Sequence, residues 1–200
     1  MLALKNIRSL GTGYRLPRPL TLYVKEGQLA SLTVDKAGMF LAAILARMPA
    51  DGYISIDSER ITPSTIHVMK SCMGYLPEQL PSEKMTVDEL VDMFFGSEAG
   101  IDDYSRSMLT REWTSLGVDR AVGDKLLSDL DDAELRKVCL AMIGVARRKV
   151  ILADNPTKDM DYDDRSRVAE YLRQLASDDR LVVAATTDEL IIGKSDVVLR

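Results

Sequence analysis

The protein has 200 residues, of which 46% are hydrophobic and 28% charged, a composition that indicates one soluble globular domain spanning residues 1–200. Its net charge of −5 argues against a general nucleic-acid binder, because such proteins present a basic face to phosphates. His67 is the only histidine, which nearly excludes a histidine-rich metal site, and we expect no bound metal.

The first third of the chain has the alternating pattern of half-buried strands, which predicts strands over residues 2–7 and 20–27. Between them lies a G-x-G, from Gly11 to Gly13, that no helix follows at once, and we predict a turn there. Residues 28–34 predict a strand that runs into a loop. Residues 37–52 predict a helix that is ended by Pro49 and Gly52, and residues 52–61 predict a short hairpin.

The middle of the chain begins with a loop marked by Pro77 and Pro81. Thr86 and Glu89 then form a capping box, which predicts the start of a helix. Residues 97–135 are charged and mostly helical in pattern, with Trp113 as the expected packing anchor. Helices and short apolar strands alternate over the remainder: helix 131–148, strand 149–154, helix 160–177, strand 181–187 and a closing segment 196–200.

The compartment is predicted from what the sequence lacks. No run of 18 or more apolar residues occurs, so no segment is expected to span a membrane. The opening "MLALKNIRSL" has no long apolar core of the kind found in signal peptides. Cys72 and Cys139 lie far apart, and we expect both to be reduced, small apolar residues in a cytosolic protein.

Short apolar strands that alternate with helices predict a mostly parallel sheet flanked by helices, in an α/β fold with an antiparallel β part near the N-terminus. In such sheets ligands bind beyond the carboxyl ends of the strands. We therefore expect the loop that follows residue 34, the end of strand 149–154 and the end of strand 181–187 to lie along one edge.

The segment "RKVILADNPTKDMD" resembles the Walker B and D-loop region of ABC transporter nucleotide-binding domains. In that family an apolar strand ends in an aspartate and a catalytic glutamate, followed by proline and threonine. Here Asp154 takes the aspartate position and Asn155 the glutamate position, while Pro156 and Thr157 match. Asp161 resembles the end of the D-loop.

The family's spacing places its signature motif, LSGGQ, at Leu130. The chain has "LDDAE" there: Leu130, Asp131, Asp132, Ala133 and Glu134. An alternative alignment that starts at Leu127, "LSDLD", matches the serine of the motif but fits the family's distance to the Walker B aspartate less well. The apolar helix that follows residue 134 favours the alignment that starts at Leu130. The resemblance implies that Asp131 and Asp132 face the γ-phosphate of a partner domain and repel ATP, although two acids also suit an ordinary helix start.

A P-loop, G-x-x-x-x-G-K-[ST], points backbone N–H groups at phosphate oxygens. At its position the chain has Thr33, Lys36 and Gly38 for the three glycines, Met39 for the lysine and Phe40 for the serine that binds Mg²⁺. We expect the Phe40 ring to crowd or cover the metal position. Lys36 either reaches into the loop to replace part of the missing charge or is a solvated surface lysine.

Three further motif positions follow from the resemblance. Glu78, beside Gln79, takes the Q-loop glutamine position, and Thr187 takes the H-loop histidine position. Tyr14 is the counterpart of the aromatic residue that stacks on adenine, although it lies a few residues closer to the P-loop position than in the family. The candidate nucleotide-contacting residues are Tyr14, Lys36, Ala37, Gly38, Met39, Phe40 and Asp154.

The resemblance covers nearly the whole chain and implies a P-loop NTPase-like fold with a helical subdomain at roughly residues 80–135. It implies a degenerate ATP-binding-type subunit, without ATP hydrolysis or a required cofactor, that acts in assembly or regulation. Its expected partners are an intact ABC ATPase subunit or a second copy of itself, and transmembrane subunits that hold it at the cytoplasmic face of the membrane. Two alternatives are an ATPase subunit that uses ATP and Mg²⁺ in an atypical site, and a soluble scaffold of the same fold.

Overall fold

The computed structural model describes residues 1–96, 102–177 and 179–200. The strands in these ranges are β1 Leu2–Leu10, β2 Tyr14–Val24, β3 Leu29–Leu32, β4 Ala50–Ile56, β5 Glu59–Arg60, β6 Met73–Leu76, β7 Val150–Asp154, β8 Leu181–Ala185 and β9 Val197–Leu199. The α-helices are α1 Ala37–Ile44, α2 Ile66–Met69, α3 Val87–Phe95, α4 Asp103–Ser115, α5 Asp132–Val145, α6 Tyr162–Leu175 and α7 Glu189–Ile192, and short 3₁₀ helices span Lys70–Cys72, Arg120–Asp124 and Leu127–Asp129. In the part of the chain so described, no helix combines the length and apolar character needed to cross a membrane.

An antiparallel sheet, in the order β2-β1-β4-β5, forms the N-terminal β part that the sequence predicts. A turn with Gly11 at φ 61° joins β1 to β2, as predicted for the G-x-G. Asp57 and Ser58 join β4 to β5 with positive φ angles of 50° and 71°, which suits a tight hairpin. The predicted hairpin is therefore confirmed.

A parallel sheet, in the order β6-β7-β8-β3-β9, forms the centre of the fold. Side chains along β7 alternate between two hydrophobic clusters. Val150 and Leu152 pack with α1 and the antiparallel sheet, while Ile151 and Ala153 pack among the apolar side chains of α5 and α6. The sheet is thus covered on both faces, which confirms the prediction of a parallel sheet flanked by helices.

Helix α1 is shorter than predicted. It ends at Ile44, and Ala46 follows with φ 52°, a left-handed conformation that stops the helix. The predicted end at Pro49 and Gly52 is wrong, because residues 50–52 belong to β4, where Ala50 and Asp51 pair with β1. Pairing with a distant strand overrides the local helical pattern here.

The helical segment between β6 and α5 begins at the predicted capping box. Thr86 Oγ1 accepts a hydrogen bond from Glu89 N at 3.2 Å, and a Glu89 carboxylate oxygen accepts one from Thr86 N at 2.7 Å. Trp113 on α4 is 3% exposed, which confirms it as a packing anchor. Of the predicted helical stretch 97–135, residues 97–101 lie outside the described residues, and the limits 80–135 of a helical subdomain stay a prediction.

Candidate functional site

A cavity of about 530 Å³ lies at the carboxyl edge of the parallel sheet. β7, β8 and β3 are neighbours in this sheet, so their carboxyl ends meet there, as the chain order predicts. The cavity is lined by residues 32–39, Glu78, residues 154–155 and residues 185–187. The structure therefore brings together candidates from four separate parts of the sequence.

A second cavity of about 430 Å³ adjoins the first and shares part of its lining. Glu78, Asn155 and Thr187 line both cavities, whereas Lys158 and Arg165 line only the second. Lys158 Nζ lies 3.3 Å from Glu78 Oε1 in an exposed ion pair. The two cations of the second cavity, Lys158 and Arg165, thus do not line the cavity that the loop 33–39 borders.

The loop before α1 is attached to β9 at its start and has a left-handed residue at its end. Thr33, at the first glycine position, donates from its backbone N and its Oγ1 to Leu199 O, at 2.8 and 2.9 Å. Lys36, at the second, precedes α1 with φ 56° and ψ 37°, a left-handed conformation that is unfavourable for a residue with a Cβ atom. The Lys36 side chain makes no capping hydrogen bond to the first turn of α1.

Tyr14 lies against this loop. Its hydroxyl donates to Asp35 O at 3.0 Å, and Lys36 Nζ lies 5.2 Å from the centre of its ring. Lys36 is exposed, and it also lines the 530 Å³ cavity. It thus combines features of the two alternatives that the sequence left open, because it borders the cavity while its ammonium group contacts a tyrosine ring.

Gly38 and Asp154 meet at the floor of the loop. A Cβ atom at Gly38 would lie 2.7 Å from Asp154 Oδ2, so a larger residue would displace the carboxylate. Burial raises the pKa of Asp154, the negative charge of Glu78 raises it further, and the charge of Arg136 opposes the change. The retained glycine is therefore explained by the close approach of this carboxylate.

Met39 and Phe40 differ in where they lie. Met39 lines the cavity, and its Cε atom also approaches Gly11 of the β1–β2 turn. Phe40 is fully buried in the cluster that α1 shares with both sheets and does not line the cavity. The expectation that its ring crowds or covers the metal position is wrong, because the apolar core between the sheets takes up the ring.

Glu78 is fixed through its backbone. Arg136 on α5 is 1% exposed, and it donates from Nη1 to Pro77 O at 3.2 Å and from Nη2 to Glu78 O at 2.9 Å. Its Nε is buried without a hydrogen-bond partner among the described residues. Burial lowers the pKa of Arg136, although the charge of Asp132 opposes this effect. A buried cation thus holds the segment that carries Glu78.

Asn155 and Thr187 line the cavity from the ends of β7 and β8. Asn155 has φ 45°, a left-handed conformation that asparagine tolerates better than most residues, and its N donates to Ala185 O at 2.9 Å. Beside Thr187, Asp188 accepts from Arg165 Nη2 at 2.7 Å and Nε at 2.9 Å. Burial opposes ionisation of Asp188, but hydrogen bonds from Arg165, Thr157 and Leu190 N lower its pKa to about 2.

The signature-equivalent residues lie apart from both cavities. None of residues 130–134 lines either one. Asp131 precedes α5 as its N-cap, and its Oδ1 accepts from Glu134 N at 2.6 Å. Asp161 has the same role at α6, where it accepts from Asp164 N at 2.9 Å. Both segments thus begin helices whose first turns are capped by carboxylates of the chain itself.

Three residues around the cavities were not singled out from the sequence: Arg136, Arg165 and Asp188. Arg136 could have been found from the sequence, since it is a charged residue within the helical apolar pattern of 135–145. No sequence pattern indicates the ion pair between Arg165 and Asp188, because 23 positions separate the two residues.

Comparison with known proteins gives a consistent result. No protein-family profile matches the chain. The Fe(3+) ions import ATP-binding protein FbpC 1 of Haemophilus influenzae is 25% identical over all of this chain and 64% of its own length. The energy-coupling factor transporter ATP-binding protein EcfA2 of Streptococcus pyogenes serotype M3 is 25% identical over 70% of this chain and 52% of its own length. This chain thus spans less than two thirds of either relative.

Solved structures agree in fold. The dimeric ATP-binding cassette MJ0796, in a post-hydrolysis state bound to ADP and Pi, superposes with a TM-score of 0.80 at 18% identity. The match covers all of this chain and 94% of that one. At that identity the likeness establishes the fold. The chain has the fold of an ABC transporter nucleotide-binding domain, and its relatives are ATP-binding subunits of such transporters.

Proposed function

We propose that this chain is an ATP-binding-type subunit of an ABC transport complex that does not hydrolyse ATP and serves in assembly or regulation. The observation that carries the proposal is the lining of the 530 Å³ cavity, in which the described residues include one cation, Lys36, beside three carboxylates, Asp35, Glu78 and Asp154. A polyphosphate carries several negative charges, and Coulomb repulsion from such a lining opposes its binding.

The lining does not fit Mg²⁺–ATP in its other features. Met39 supplies no charge at the position of the family lysine, and an ionised donor to phosphate contributes a few kcal/mol, on the order of 2. Phe40 has no oxygen for Mg²⁺, and its ring is buried in the core. The fold is retained without the side chains that would hold the nucleotide and its metal.

The groups that would activate water are also replaced. Asn155 stands at the position of the family's catalytic glutamate, and an amide is not a base at neutral pH. Thr187 stands where the family has a histidine, and a hydroxyl cannot supply the charge of an imidazolium. Hydrolysis would therefore lack both a base and a sensor.

The start of α5 supports the same proposal. In a dimer of the family's type, this helix start would approach the γ-phosphate on the partner. Here Asp131 Oδ1 already accepts a hydrogen bond from Glu134 N at 2.6 Å, so one of the N–H groups at the start of the helix is no longer available to a phosphate. A second carboxylate, Asp132, adds negative charge in the first turn. This end of the helix is thus unsuited to an incoming phosphate.

A role in assembly is supported by the helical segment. Met93, Phe94 and Leu126 are exposed apolar side chains on this part of the surface. The segment follows the Glu78 loop, which Arg136 holds in place. We propose that this surface docks on a transmembrane subunit at the cytoplasmic face of the membrane, and that the chain pairs with an intact ATPase subunit or a second copy.

The proposal is tested by affinity purification of the chain from its native membranes, together with phosphate release from Mg²⁺–ATP by the purified chain. We expect co-purification with a polytopic membrane protein and phosphate release at background. Met39→Lys should leave the rate at background, because Asn155 and Thr187 are unchanged. Phe40→Ser is less informative, because it would also open the core.

Two other outcomes correspond to the alternatives. Turnover by the unmodified chain, or by Met39→Lys, would contradict the inactive site and favour an ATPase with an atypical cavity. Recovery of the chain only with soluble proteins would favour a scaffold of the same fold.

A further inference from the structure

The loop that precedes α1 separates two cavities. Thr33, Val34 and Asp35 line the 530 Å³ cavity on one side. The same three residues line a groove of about 730 Å³ on the other side, together with Tyr14 and apolar residues of β2 such as Leu16. The conformation of this loop therefore affects the shape of both spaces.

Two contacts from Tyr14 hold the loop where it is. The hydroxyl donates to Asp35 O at 3.0 Å, and the ring lies under the Lys36 ammonium at 5.2 Å. Lys36 forms none of the ion pairs found in residues 1–96, 102–177 and 179–200. Its left-handed backbone, φ 56°, is unfavourable for a side chain with a Cβ atom, so the Tyr14 contacts offset some local strain.

We propose that the contact between Tyr14 and Lys36 is an autoinhibitory latch on the 530 Å³ cavity. It keeps the one cation of the cavity lining on a tyrosine ring, which leaves the carboxylates of Asp35, Glu78 and Asp154 as the charges that an incoming ligand meets. A polyphosphate must draw Lys36 away from the ring before it can bind. The proposal rests on the proposed function only in taking this cavity as the counterpart of the nucleotide cavity.

The latch is expected to be weak enough to open. Cation–π contacts at exposed sites have energies that correspond to a factor of about two to five in an equilibrium. Loss of the contact should therefore change the availability of Lys36 by about two- to five-fold. An effect of this size can be measured, and it is small enough for a ligand to reverse.

The first test measures how fast Lys36 is acetylated by a water-soluble active ester, with mass spectrometry to follow each lysine. Tyr14→Leu keeps apolar volume and removes the ring, so Lys36 should react about two- to five-fold faster than in the unmodified chain. Tyr14→Phe keeps the ring, and Lys36 should react at the original rate. Equal Lys36 rates in the Tyr14→Leu variant and the unmodified chain would overturn the latch.

Tyr23 provides a matched control. Lys5 Nζ lies 5.7 Å from the Tyr23 ring, a similar contact on the antiparallel sheet. Tyr23→Leu should leave the acetylation of Lys36 unchanged. If it accelerates Lys36 as much as Tyr14→Leu does, the effect reflects general loosening of the fold and the latch is wrong.

The second test asks whether a polyphosphate uses the released cation, with inorganic tripolyphosphate as the probe and no metal added. Tripolyphosphate should protect Lys36 from acetylation, at about two- to five-fold lower concentration in Tyr14→Leu than in Tyr14→Phe. Equal protection of the two variants, or no protection of Lys36 in either, would overturn the latch. Co-purification and turnover do not depend on these results, so failure of the latch is distinguishable from failure of the proposed function.

Discussion

At the scale of single residues, the Asp154 carboxylate lies beside Gly38 in surroundings that disfavour its ionised form. The carboxyl group lies close above the glycine, half-buried, and it enters none of the ion pairs found among the described residues. Burial and the charge of Glu78 both raise its pKa. An acid whose pKa is raised on folding destabilises the folded state whenever it is ionised.

We therefore predict that Asp154→Asn increases the free energy of unfolding at pH 7. The folded-state pKa lies above the ordinary value of 3.8, so the advantage of the variant should be full above the folded-state pKa and disappear as the pH falls to 3.8. Urea unfolding between pH 3 and pH 8, roughly the range in which carboxylates titrate, would measure this. Asp51→Asn, at an exposed position on β4, is the control, and a less stable Asp154→Asn at pH 7 would contradict the prediction.

Helix starts distinguish α1 from its neighbours at the scale of secondary-structure elements. Side chains cap the first turns of α3, α5 and α6, through Thr86, Asp131 and Asp161. α1 begins at a left-handed Lys36, whose side chain makes no capping hydrogen bond. The start of α1, which borders the cavity, therefore lacks the local stabilisation that fixes where α3, α5 and α6 begin.

The capping box of α3 should contribute measurably to stability. Thr86→Ala removes the oxygen that accepts from Glu89 N at 3.2 Å, and we expect the free energy of unfolding to fall by about 1 kcal/mol. Thr12→Ala, in the exposed β1–β2 turn, should change it by less than about 0.5 kcal/mol. Urea midpoints at constant m-value would measure both, and equal effects of the two substitutions would show that the cap does not stabilise the fold.

Buried and half-buried charged groups connect the elements around the site at the scale of the whole molecule. Arg136 joins α5 to the loop after β6, and Lys137, 7% exposed, joins α5 to α6 through Asp164 at 2.6 Å. Arg165 joins α6 to the end of β8 through Asp188. These links attach the segments that line the two cavities to α5 and α6.

Arg136 should be the most costly of these links to remove. Arg136→Ala leaves Pro77 O and Glu78 O without their donor and opens a large space in the core, so we expect a loss of about 3–5 kcal/mol. Arg136→Met keeps most of the volume and removes a buried charge whose Nε has no partner in the described structure, so its loss should be roughly half as large or less. Urea unfolding of both variants decides this, and a loss below about 1 kcal/mol for Arg136→Ala would contradict it.

Sequence patterns predicted the elements well wherever one local rule applied. Alternating apolar residues predicted most of β1 and the second half of β2, although β2 begins at Tyr14 and ends at Val24 instead of spanning 20–27. The Thr86–Glu89 pair predicted the start of α3, and short apolar runs predicted β7 and β8. The end of α1 was mispredicted because residues 50–52 pair with β1, a contact that no local pattern reports. Phe40 was misplaced for a related reason, since its position in a motif does not specify which side of the helix meets the core.

The sequence by itself determined the α/β fold, the order of its segments and the edge of the sheet where the candidate residues meet, because strand and helix periodicities and the direction of parallel strands are local properties. Only the tertiary structure decided that Phe40 is buried, that Lys36 lies over Tyr14 and that Arg136 holds the Glu78 loop. Such contacts join residues that are distant in the chain, and their geometry depends on how sheets and helices pack around them.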